Sequence, residues 1–169
     1  MRALVVVALL ATLALIFTVV ALVRDTQSEA GLNAGCEEGW PEADVTLREP
    51  AEVKIKVLNG TDQAGLASKV SDDFRNRKFQ IEETGDAEKS NDIAVLRYGP
   101  KGVGAAHLLR AYFLNNAAID YDPERADATV DVVLGSAFQQ LATTTEVNQS
   151  LGDLGAPVAP PGTCPVQEE

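Results

Sequence analysis

A chain of 169 residues suits one domain with attachments. Its 25 acidic against 14 basic residues give a formal net charge of −11. That balance argues against nucleic acid, whose phosphates are held by clustered cations, and against a polybasic hold on anionic lipid; neutral glycans and protein surfaces fit it better.

Met1 and Arg2 precede an uncharged run from Ala3 to Val23 with no Gly or Pro. At 1.5 Å per residue such a helix spans roughly 30 Å, the thickness of a bilayer core. The run predicts a transmembrane signal anchor over 3–23, with residues 1–2 in the cytoplasm and the remainder outside; Arg2 and the free amine set that orientation weakly. A cleaved signal peptide is the rival, but its apolar stretch is normally about 7–15 residues and ends in a small-residue exit site. Residues 24–51 mix acids, Gly, Ser and Pro without periodicity and read as an extracytoplasmic stalk. Trp40 within it suits either the membrane interface or a dock on the domain.

Residues 52–154 carry the periodic patterns of one modest core. Val53, Ile55 and Val57 alternate with Lys54 and Lys56, the mark of a half-buried strand. Leu66, Val70 and Phe74 recur every four residues beside Ala67, an amphipathic helix for which Asp62 is a candidate N-cap. Phe79 and Ile81 start a second strand, residues 85–91 read as a polar loop, and residues 92–99 form a denser apolar strand fit for a central place. Ala105, Leu108, Leu109, Tyr112 and Phe113 share one face of a second helix. Residues 119–122 suggest a short strand, and Val130, Val132 and Leu134 a closing one. Thr143 with Glu146 forms a capping box for a last short helix. The order β-α-β-β-α-(β)-β predicts an α+β, two-layer domain: a small mixed β-sheet with two main helices on one face, plus the N-terminal transmembrane helix.

Residues 155–169 include four prolines, which exclude helix and central strand and leave an extended tail. The chain's two cysteines are Cys36 in the stalk and Cys164 in the tail. An exterior compartment permits a disulfide between them, and two free or intermolecular thiols are the alternative. Leu32 to Gly35 before Cys36 suggests a lipoprotein box, but Leu32 stands one place too far from the cysteine.

The chemical motifs are sparse. Gly99 and Gly104 have Walker A spacing, but Ala105 and Ala106 stand where the Lys and Ser/Thr belong, which removes the groups for terminal phosphate and magnesium. Gly102 and Gly104 are followed by Ala, Ala and His107, so the dinucleotide fingerprint fails too. The glycines are expected to bring the helix start close to the sheet. Asn59, Gly60 and Thr61 read as a turn out of the first strand, with hairpin and glycosylation-sequon readings beside it. His107, the only histidine, is expected as an exposed helix side chain, without partners for serine chemistry or a metal site. Asp72 with Asp73, Asp86 with Glu88, and Asp120 with Asp122 sit on polar stretches and read as solvated faces, not as a glycosidase pair. No catalytic, cofactor or metal residue is assigned.

Residues 53–81, 93–109 and 128–138 together resemble the LytR C-terminal domain family. Val57, Asn59, Gly65 and Ala67 stand in its strand-ending motif, and Leu134, Gly135 and Phe138 in its closing one. The likeness covers about residues 52–141, and the layout resembles single-pass envelope-integrity proteins of that family. The LytR-CpsA-Psr catalytic domain and its arginine-rich pyrophosphate site have no counterpart here. The resemblance therefore implies a non-catalytic envelope protein supporting wall integrity, touching peptidoglycan or the LytR-CpsA-Psr transferases. It transfers no binding site. A wall-polymer enzyme and a structural module that dimerises through an exposed sheet edge are the rival readings.

Overall fold

The chain's hydrophobic alternation is realised as ten regular elements in the computed structural model, which describes Cys36 and residues 39–166. They are β1 (Glu42–Asp44), β2 (Lys54–Asn59), α1 (Leu66–Asn76), β3 (Gln80–Asp86), β4 (Ala94–Tyr98), α2 (Val103–Tyr112), β5 (Ala118–Tyr121), β6 (Val130–Leu134), α3 (Thr144–Leu154) and β7 (Cys164–Val166). The anchor expected over 3–23 lies outside the described residues. Among the described residues no helix is long and apolar enough to cross a membrane.

Five strands form one mixed sheet in the order β3-β2-β6-β4-β5. β2 is parallel to β3 and β6, β4 is antiparallel to β6, and β5 is parallel to β4. β2-α1-β3 and β4-α2-β5 are both parallel crossovers. The two pairs run in opposite directions and step to opposite edges, so one shared handedness puts both helices on the same face. This is the expected two-layer α+β arrangement. Register then sorts the side chains into rows. Val57 lies beside Val132, and Val132 beside Leu96, all buried under the helices. The uncovered face carries Glu83, Lys56, Asp131, Arg97 and Asp120 in one row across all five strands. Alternating signs make that row self-neutralising: Lys56 meets Glu83 at 3.0 Å, Arg97 meets Asp120 at 2.9 Å, and Arg125 grips Asp131 through two 2.9 Å bonds.

Several local expectations need correction. The strand expected to be central, β4, is second from the edge, and β6 occupies the middle. β3 extends through Gly85 and Asp86 into the stretch that reads as a loop, because both pair with β2. Asp62 caps nothing; it forms an exposed ion pair with Lys89 at 2.6 Å. α1 instead starts after Gly65, whose φ of +77° is a left-handed conformation that glycine adopts without a Cβ penalty. At α3 the expected capping box is present: Thr143 and Glu146 bond each other's backbone N–H.

The stretches that read as stalk and tail meet. β1 pairs in parallel with β7, Glu42 opposite Cys164, and the Val45 N–H donates to the Val166 carbonyl at 3.0 Å. Ala43 and Val45 are buried in the core. Pro165 is tolerated because β7 has a neighbour on one side only. Both Cys36 and Cys164 are disulfide-bonded, neither is free, and the chain has no third cysteine. The Thr46 backbone rests on Gly104 in the first turn of α2, where an added Cβ would fall on the Thr46 carbonyl oxygen. The close approach expected at Gly104 is therefore real, but its partner is the segment after β1 and not the sheet.

Candidate functional site

The β2–α1 turn is built on Asn59. Its buried side chain accepts from the Thr61 N–H at 3.1 Å and from the Thr61 hydroxyl at 2.8 Å, and its amide donates to the Gln63 carbonyl at 3.0 Å. This network explains the Asn-x-Thr spacing without a sugar. Losing a buried hub of this kind leaves its partners unsatisfied, at about 1–3 kcal/mol. Asn59→Ala should lower the urea midpoint accordingly, with an unchanged m-value.

The turn delivers α1 with a polar stripe at Lys69, Asp72, Asp73 and Asn76, the 3–4 spacing of one helix face. Across from it runs the segment after β6, Phe138 to Leu141. Between them lies a groove of about 330 Å³, floored by Leu66, Val70, Leu141 and Phe138. Phe138 packs on Phe113 with ring centroids 6.1 Å apart. Arg77 ties one groove carboxylate to the domain: it pairs with Asp73 at 2.9 Å, donates to the Ala142 carbonyl at 2.6 Å and lies 5.4 Å over the Tyr112 ring. Asp72 is held by Arg75 at 2.7 Å. Gln63, Asn76, Gln139 and Gln140 also line the groove, and none of their side chains bonds to another described residue. Carboxamides offer donors and acceptors together. The groove therefore presents amides, ion-paired carboxylates, one lysine and an apolar floor, a surface suited to a neutral polyhydroxylated chain.

The family-motif residues fall around this turn and groove. Val57, Ala67 and Leu134 are buried in the core, and Gly65 opens α1. Gly135 lies where a Cβ would fall on the Asp92 carbonyl, and only Phe138 reaches the groove. The groove itself was not legible in the sequence, since its walls are some 70 residues apart; the stripe on α1 was the one available signal. The other acidic candidates are dispersed. Asp120 belongs to the charged row, and Asp122 accepts from the Glu124 N–H at 2.9 Å. Among the described residues no group of His, Cys, Asp and Glu could hold a metal ion. The glycine loop is filled by protein: Gly99 abuts the Arg125 backbone, Gly102 abuts Tyr98, and Gly104 abuts Thr46.

His107 is not exposed as expected. It is buried on α2, and its Nε2 donates to the Gly155 carbonyl at 3.0 Å. Burial pushes its pKa below the ordinary 6.5; the Gly155 bond opposes this and Arg110 adds to it. With the folded pKa lowered, the unfolded chain binds a proton first as pH falls through about 6.5. Stability should fall from there until the folded-state pKa is reached. His107→Gln should remove that part of the decline, as measured by urea midpoints between about pH 7 and 5.

Comparison with known proteins gives consistent results. Residues 52–138, just over half of the chain, match the family LytR_C, described as LytR cell envelope-related transcriptional attenuator. The fold is similar to that of the soluble domain of a conserved hypothetical secreted protein (Rv2700 ortholog) from Mycobacterium marinum, at 26% identity and a TM-score of 0.55, over 66% of this chain and 77% of that one. No curated protein matches the chain. A match across the whole span from β2 to Phe138, on a fold shared with a secreted protein, places the chain in the LytR C-terminal domain family.

Proposed function

We propose that this chain is a non-catalytic, membrane-anchored envelope protein whose extracytoplasmic domain supports wall integrity by holding a neutral glycan strand, such as that of peptidoglycan, in the groove beside α1. The groove's chemistry carries this reading: four carboxamides with no side-chain partner among the described residues over an apolar floor, next to carboxylates already neutralised by Arg75 and Arg77. The family description and the secreted relative support an envelope setting. The disulfide supports an oxidising compartment, and the uncharged run 3–23 supports the anchor. A net charge of −11 disfavours anionic partners at long range.

Co-sedimentation of the full chain, held in detergent, with purified peptidoglycan tests the proposal. Wild type should pellet with the wall and release no soluble fragments. An Asn76→Ala, Gln139→Ala, Gln140→Ala triple variant should lose at least about tenfold in retention, or about 1.4 kcal/mol. Progressive release of fragments would make the protein an enzyme. Retention by LytR-CpsA-Psr transferases without retention by wall would make those transferases the partner instead.

A further inference from the structure

Five of the six arginines among the described residues pair with a carboxylate: Arg48, Arg75, Arg77, Arg97 and Arg125. Arg110 is the sixth and makes no ion pair with any described residue, in a chain with 25 acids to choose from. Its Nε is buried without a hydrogen-bond partner. A buried donor left unsatisfied costs about 1–3 kcal/mol unless something else meets it.

Arg110 lines a cavity of about 130 Å³ with Tyr98, Val103, His107, Leu154 and Ala156. Val103, His107 and Arg110 follow each other at four and three residues, so one face of α2 supplies one wall of the cavity. The far wall is the segment after α3, pinned by the His107–Gly155 bond. That bond uses Nε2 as the donor to a carbonyl. Burial raises the Tyr98 pKa, so its phenol keeps its proton at neutral pH. The site thus offers a guanidinium and neutral groups, with aliphatic walls on the other side.

We propose that this cavity is a subsite for a small carboxylate, clamped by Arg110 and with its aliphatic carbons against Val103, Leu154 and Ala156. A planar guanidinium matches a carboxylate with paired N–H donors. One cation balances one negative charge; a phosphate dianion would leave charge uncompensated against apolar walls. The cavity opens to solvent on one side and has room for a carboxylate bearing a few carbon atoms. The site is separate from the α1 groove, and the two proposals fail independently.

The test is an NMR titration of the full chain, following the Arg110 Nε–H and the His107 ring. The probes are N-acetylalanine, its neutral isostere N-acetylalaninamide, and inorganic phosphate. N-acetylalanine should shift both signals saturably, with binding at least tenfold tighter than for the amide or phosphate. Arg110→Gln should abolish the shift at His107, and the groove triple variant should retain it. If Arg110→Gln fails to fold, the ratio of acid to amide binding on wild type decides alone. No saturable shift, an equal response to the amide, or tighter binding of phosphate would overturn the proposal.

Discussion

Gly104→Ala should lower the melting temperature by on the order of 10 °C, although alanine is the better helix former. Two effects compete. Ala gains at most about 1 kcal/mol over Gly, the helix-interior figure, and Gly104 lies in the first turn. Against that, the new Cβ would fall on the Thr46 carbonyl oxygen, a backbone atom with no rotamer to escape into. The Thr46 segment is itself held by the buried Ala43 and Val45 and by the β1–β7 pair. Overpacking costs about 1–3 kcal/mol and occasionally more, and a clash on fixed backbone belongs at the upper end. The net loss should be about 2–3 kcal/mol, at roughly 3–4 °C each for a domain of this size. Gly152→Ala in α3 is the control: its added Cβ meets nothing within 4 Å. That variant should stabilise by up to about 1 kcal/mol. Scanning calorimetry on both should give shifts of opposite sign.

Cys164→Ser should destabilise the domain by about 2–4 kcal/mol. The bond closes a loop of about 130 residues, for which the chain-entropy argument gives roughly 4–5 kcal/mol. The Ser variant keeps the β1–β7 register, and the Cys164 N–H already donates to the Pro41 carbonyl at 2.9 Å. Part of the ordering therefore survives, which puts the expected loss below the full loop term. Urea unfolding with and without reductant measures it. Wild type should lose stability on reduction, and Cys164→Ser should be insensitive to reductant.

The elements legible in the sequence are those whose signal is local. β2, α1, α2 and β6 each carry their own period, and the Thr143–Glu146 box fits within four residues. β1 and β7 are three residues each, too short for any period. They exist because segments more than 100 residues apart are brought together, and neither stretch announces the other. His107 failed for a related reason. Its helix face looks outward when α2 is read alone, but the segment at Gly155 covers it. Gly104 was legible as a close approach, while the identity of its neighbour depended on β1. The motif positions entered through the family resemblance; in the structure Asn59 and Gly65 build the turn, and Val57 and Leu134 lie in the core. Both cavities draw their walls from segments distant in the chain, so composition and spacing could not reveal them.

The groove as a glycan site is tested most directly by mapping amide chemical shifts of the full chain during titration with a soluble peptidoglycan glycan fragment. Saturable changes are expected at Gln63, Lys69, Asn76 and Phe138–Leu141, with the charged row of the open sheet face unmoved. Changes confined to the β5 edge or to that charged row, or no changes at saturating fragment, would contradict it.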